Sequence, residues 1–369
     1  MNIYKDDRIV LTLDAGGTNF VFHAFQGGRA ITKGIRKDAH ADHLERCLTN
    51  MKDGFHELMK EIERAPVAIS FAFPGPADYT KGIIDNSNNL PAFRGGVPLK
   101  SILEEEFGLP VFINNDGDLF AYGEALGGIL PEINSRLEAS GSSKRYKNLV
   151  GFTLGTGFGG GFVSNGQLIS GDNITAAEVW LFSNRHHPTL NAEDAVSIRS
   201  VQRFYAAEAE ITYPNELEPK DIYEIAKGAK KGNREAALKA YEKTGRALGD
   251  TIANVLTFTD GIAVIGGGIT GASDLYMPAV MKELNYKFLP SNADELPRLV
   301  QRVFNLDEEM DQKEFFRDYS KTLSIPGTDR IISYDPIPRL AIATSTRGAS
   351  ESISLGAYAF ALQKKNSRD

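Results

Sequence analysis

Three apolar runs in this chain each stop at a glycine-rich turn. Ile9 to Leu13 runs into DAGGTNF (Asp14 to Phe20), Leu149 to Leu154 into GTGFGGG, and Gly261 to Ile265 into GGG ending at Gly268. A backbone without side chains can approach phosphate oxygens and present a nest of N–H donors. Any one such turn also reads as a tight hairpin, since glycine supplies the positive φ that hairpins demand. Two in separate halves of a chain can grip a polyphosphate from both sides, which points to ATP. No Lys-Ser or Lys-Thr closes a GxxxxG run, and neither of the first two turns fits the GxGxxG-then-helix dinucleotide fingerprint. The candidate nucleotide contacts are Asp14, Gly16, Gly17, Thr18 and Asn19 in the first turn, Gly155, Thr156 and Gly157 in the second, and Gly266, Gly267 and Gly268 in the third. Asp14 sits at the mouth of its turn, where a carboxylate can hold hydrated magnesium.

Between the first two turns, PVFINND ends a strand in Asp116. A sugar hydroxyl is a poor nucleophile at neutral pH, and a carboxylate within hydrogen-bond reach can accept its proton as the bond to phosphorus forms. Asp116 equally fits an N-cap for a helix starting near Leu119, a role that suits Asp118 better by position.

At 369 residues the chain is long enough for two domains, and its net charge of −7 disfavours a general nucleic-acid or membrane surface. A single cysteine, Cys47, excludes an internal disulfide and a thiolate zinc site. With no leader pattern and no long apolar stretch, the expected location is the cytoplasm. A helix is expected on the apolar face Leu44, Leu48, Met51, Phe55, Leu58 and Ile62, and another on Leu248, Ile252, Val255 and Leu256. Residues 131–148 read as a polar surface loop, and the charged stretch 294–338 as an insertion or lid edge.

The order DAGGTNF, AFPGPAD, NNLPAF, INNDGDLFAYGEALGG, LGTGFGGG, VIGGG resembles the ROK family of bacterial sugar kinases and repressors, from about Ile9 to Ala361. The resemblance implies an α/β fold of two related actin-like ATPase (ribonuclease H-like) domains with a nucleotide cleft between them. The small domain would comprise 1–126 plus 345–369, and the large one 127–344. It further implies an ATP- and Mg2+-dependent, glucokinase-like phosphotransferase with Asp116 as general base. The acceptor would be a hexose or N-acetylhexosamine, bound through Asn89, Asn115, Glu178 and Glu193, with Ser197 completing the later ExxxS element. Taken alone, an Asn in a loop is turn chemistry and a lone Glu is a solvated side chain.

Three departures stand out. Where the family's ExGH has glycine and histidine, this chain has Glu178-Val179-Trp180-Leu181, so no sugar- and zinc-binding histidine is present. The zinc cysteines are also missing, and no structural zinc is expected; His186 and His187 read as a solvated pair. Asp118 replaces the Asn usual two positions after the base. ROK repressors carry a helix-turn-helix module ahead of the first phosphate turn, whereas only Met1 to Arg8 precede the first strand here, so a DNA-binding role is not expected. A catalytically weak sugar sensor stays open as the alternative, and homodimers are common in the family.

Overall fold

The computed structural model describes residues 2–16, 18–75, 77–85, 91–214, 216–291 and 294–366. The chain opens with β1 (Val10–Ala15), β2 (Asn19–Gln26), β3 (Arg29–Ala30) and β4 (Ile35–Asp38), then α1 (Leu44–Lys60). Next come β5 (Ala68–Ala72), β6 (Ala77–Asp78), β7 (Ile83–Ile84), α2 (Leu99–Phe107), β8 (Val111–Asn114) and α3 (Asp116–Leu126). The middle holds α4 (Ile129–Ala139), β9 (Asn148–Leu154), β10 (Phe158–Ser164), β11 (Gln167–Leu168), α5 (Glu193–Val196), α6 (Ile198–Glu208), α7 (Pro219–Lys227) and α8 (Arg234–Thr259). The remainder is β12 (Ile262–Gly266), α9 (Ser273–Leu284), β13 (Lys287–Phe288), β14 (Leu296–Pro297), β15 (Arg302–Asn305), α10 (Glu309–Phe315), β16 (Lys321–Ser324), β17 (Ile331–Tyr334), β18 (Arg339–Thr344) and α11 (Ala349–Asn366).

Two compact units emerge. The first comprises residues 1–128, 161–176 and 347–369, the second 129–160 and 177–346. The sequence expectation did not assign 161–176 to the first unit.

In the first unit the sheet runs β3-β2-β1-β5-β8, with β4 also on β2. β1, β5 and β8 are parallel, and β2 is antiparallel to β1. Alternation along the strands splits their side chains between two faces. Leu11, Leu13, Phe22, Ile69, Phe71, Val111 and Ile113 join Met51 and Phe55 of α1 and Leu99 and Leu103 of α2 in one core. On the opposite face Ala72 packs with Leu119 of α3 and Ala357 of α11, and Phe112 meets the Phe360 ring. Helices α3 and α11 approach backbone to backbone. A Cβ on Gly356 would lie 1.9 Å from the Leu119 carbonyl oxygen, and one on Gly123 2.0 Å from that of Ser352.

In the second unit, parallel strands β9, β12, β18 and β15 stand in that order. The long α8 packs against α5, α6, α7 and α9. Residues 131–148 are only in part the expected loop: α4 covers 129–139 and buries Leu130, Ile133 and Leu137, and the loop is confined to 140–147. Its Pro131 lies in the first turn, where a missing N–H costs nothing. Nor is 294–338 wholly an insertion, because β15 pairs with β18 in the central sheet and Phe304 is buried. The same stretch also carries the hairpin β16–β17, which pairs with no other strand among the described residues and whose strand residues are all exposed. Among the described residues no helix is long and apolar enough to cross a membrane.

Candidate active site

The first unit brings two carboxylates to one edge of its sheet. Register aligns Asp14 of β1 with Ala72 of β5, and Ala72 with Asn114 of β8. Two strand spacings therefore separate Asp14 from Asn114, roughly 9–10 Å. The chain then turns into α3. Asn115 is its N-cap, with Oδ1 accepting from Gly117 N at 2.8 Å, and Asp116 is its first residue. Helix α3 thus starts three residues before Leu119, and the cap is not Asp118, which is buried within the helix. Asn115 spends one oxygen lone pair on capping, which fixes its side chain beside the carboxylate.

Asp116 Oδ1 also accepts from Gly117 N at 2.8 Å. Its side chain reaches solvent, yet surrounding protein displaces enough water to raise the carboxyl above the ordinary Asp range. The Gly117 N–H opposes that rise and the Asp14 charge adds to it. Beside it Asn114 is buried, and its Nδ2 has no hydrogen-bond partner among the described residues. Sequence reasoning passed over this Asn, because a strand-end amide carries no sign of its burial.

The first glycine turn closes through Gly16 N donating to Asn19 O at 3.1 Å, and Thr18 is exposed at its tip. A Cβ at Gly16 would stand 3.0 Å from Asn19 O, so the turn is tight. The proposed contacts at Gly17 and Asn89 lie outside the described residues.

The second unit places the other two turns side by side. Strands β9 and β12 are parallel with Thr153 opposite Gly266, so both glycine runs leave the same end of the sheet. Gly155 N donates to Gly157 O and Ile198 N to Gly155 O, each at 2.9 Å. Gly267 has φ +105°, and a Cβ there would lie 2.3 Å from Leu154 O, so only glycine fits. By contrast, nothing lies within 4 Å of a Cβ at Gly268, and at Gly155 only Gly157 O is met, at 4.0 Å. With Thr156 exposed beside Gly155, this stretch of backbone is open to a ligand, and such a turn can hold a phosphate.

The two glutamates have partners that the sequence did not foretell. Glu193 Oε2 accepts from Phe158 N at 3.1 Å while Oε1 pairs with Arg199 at 3.1 Å, tying Glu193 to the end of the second turn. Glu178 is exposed and accepts from the Trp180 indole N–H. Half-buried Trp180 therefore orients Glu178. Val179 fills the space left by Gly160, where a Cβ would come within 2.8 Å of Cγ2. Ser197 is buried at the N-cap of α6. His186 and His187 are not a solvated pair: both are half-buried, and His186 enters an ion network around Asp250 and Glu283. The signal for that network was an Asp inside the apolar stripe from Leu248 to Ile252.

Comparison with known proteins bears on the whole arrangement. The ROK family profile matches residues 10–305. The crystal structure of a glucokinase from Parabacteroides distasonis matches with a TM-score of 0.89 at 50% identity, covering 98% of this chain and 99% of that one. Glucokinase of Thermotoga maritima is 27% identical across 76% of this chain and 89% of its own length. The N-acetyl-D-glucosamine kinase of Vibrio parahaemolyticus is 28% identical across 71% and 85%. The mixed α/β architecture is the two-domain actin-like ATPase fold of the solved neighbours. A profile match over most of the length, joined to a half-identical structural neighbour, places this chain in the ROK family.

Proposed function

We propose that the chain is an ATP-dependent sugar kinase, transferring the γ-phosphoryl of ATP to the primary hydroxyl of a hexose or N-acetylhexosamine. The observation that carries this reading is Asp116: solvent-reachable, fixed at the first position of α3, and with a carboxyl raised above its usual range. A base whose pKa lies nearer the working pH is better matched to proton transfer in the transition state. Asp116 accepts the hydroxyl proton as the sugar oxygen bonds to the γ-phosphorus, and the bond from that phosphorus to the bridging oxygen breaks to leave ADP. Thr156, Gly157, Gly267 and Gly268 bind the phosphates through backbone N–H groups, while Gly155, whose N–H closes the turn on Gly157 O, and Gly266 at the end of β12 hold the turns in shape. Asp14 has no ion pair among the described residues and fits a role as magnesium ligand. Magnesium, when bound, neutralises phosphate charge.

Asn89, Asn115, Glu178 and Glu193 are assigned to the sugar. Glucose and N-acetylglucosamine lead as acceptors, which agrees with the activities named for the matched relatives, and mannose and fructose follow. Without a histidine in the ExGH position, discrimination around one part of the ring should relax, since unpaired polar groups are what reject wrong ligands. One observation favours a second reading, a catalytically weak sugar sensor: Glu178 and Glu193 already hold intramolecular partners. Sugar-dependent ADP release across the four sugars decides between them. Turnover on one or more supports the kinase, whereas ATP binding with no turnover on any supports the sensor.

A further inference from the structure

Between the two glutamates the chain makes a closed loop. Ala192 N donates to Phe182 O at 2.8 Å, Ser183 bridges Asn191, and buried Asn184 accepts from the backbone N–H groups of His186 and His187 at 3.0 and 3.2 Å. Glu178 lies shortly before this loop and Glu193 directly after it, so the loop joins the two segments that carry these carboxylates. At its tip Arg185 leaves the loop altogether. Its Nε lies 3.3 Å from Asp250 of α8, its Nη2 bonds Glu283 of α9, and its guanidinium lies over the Tyr286 ring at 5.0 Å.

The receiving end is a buried charge cluster. Asp250 and Glu283 are almost fully buried, and Arg298, itself buried, pairs with both. Arg246 Nη2 stands 3.2 Å from His186 Nδ1, and His186 Nε2 stands 3.2 Å from Glu283 Oε1. A guanidinium can only donate, so Nδ1 accepts from Arg246, while Nε2 faces both the Glu283 carboxylate and, at 3.5 Å, Arg185 Nε. Burial first, opposed by the Glu283 charge and aided by the flanking arginines, holds His186 below its usual range. Bonds from arginine to a buried carboxylate are charge-assisted and geometrically selective, unlike an ion pair in open solvent.

We propose that Arg185 is a positioning residue for the sugar site, anchoring the loop between Glu178 and Glu193 to the α8–α9 pair. This rests on the assignment of those glutamates to the sugar. Arg298 and Arg246 stay beside the buried acids when Arg185 is removed, so Arg185→Ala leaves no uncompensated carboxylate and the fold persists.

The test is steady-state kinetics of wild type, Arg185→Ala, Arg185→Lys and Glu178→Ala, each with its thermal midpoint. Arg185→Ala should raise KM for the preferred sugar about tenfold, with KM for ATP and kcat within about twofold. Arg185→Lys keeps the charge without the planar fork and should fall between. A sugar KM unchanged in Arg185→Ala, while Glu178→Ala raises it, overturns the anchor and leaves the site reading standing. A lowered thermal midpoint with unchanged KM gives Arg185 a purely structural role and also overturns it. If Glu178→Ala leaves the sugar KM unchanged, the site assignment falls and takes the anchor with it.

Discussion

Replacing Gly356 by alanine should destabilise the first unit and slow turnover together. The added Cβ would sit 1.9 Å from the Leu119 carbonyl oxygen, whereas ordinary contact begins at 3.4 Å, so α3 and α11 must part by about 1.5 Å locally. Neither obstacle is a flexible side-chain end; both helices present backbone. Overpacking of this kind costs about 1–3 kcal/mol, against about 1 kcal/mol gained from alanine's better helix propensity. The clash wins, with a net loss of up to about 2 kcal/mol. Because α3 begins with Asp116, the displacement reaches the base, and a shift on the order of 1 Å can cost about 10²-fold in rate. Thermal unfolding and sugar-dependent ADP release read the two effects separately. Gly271→Ala is the control: nothing lies within 4 Å of its Cβ, and stability should stay within about 0.5 kcal/mol. An unchanged or raised midpoint for Gly356→Ala, with normal turnover, would refute the backbone-contact reasoning.

Three further outcomes are expected. Asp116→Asn should cut turnover on the order of 10² to 10⁴ while sparing sugar affinity, and near-normal turnover in a folded variant removes the base assignment. Since only the ionised carboxylate accepts a proton and burial raises its pKa, activity should fall on acidification from above the ordinary Asp range, and an acid limb at or below that range in a pH–rate profile removes the raised carboxyl from the argument. Cys47 is buried and its thiol is pushed up to about 12, so an aromatic disulfide reagent should label the native protein negligibly and the denatured protein fully.

What the sequence disclosed was what depends on local pattern. The glycine turns, the strand leading toward Asp116 and the apolar stripe of α1 follow from spacing alone, and each has its element in the structure, although the strand stops at Asn114. Residues 131–148 misled because Pro131 and the Ser-Gly run look like punctuation, although proline in a first helical turn is harmless. Asp118 misled because the choice of cap depends on where the strand lets go of the chain, and β8 ends at Asn114. Partners of long side chains were not legible. Arg185 meets Asp250 and Glu283 across sequence separations that no periodicity encodes, and Trp180 turning its N–H to Glu178 depends on a local helical turn.

Helix α11 belongs to the unit that the first strands begin, so synthesis and folding run out of step. Domains tend to fold as units while the chain emerges from the ribosome. The stretch 177–346 is made without interruption and completes the second unit before α11 exists. Until then α3 has its Gly123 face uncovered and Asp116 on an unsupported helix. The proposed base is among the early residues translated, yet it gains its seat only when residues 347–366 arrive.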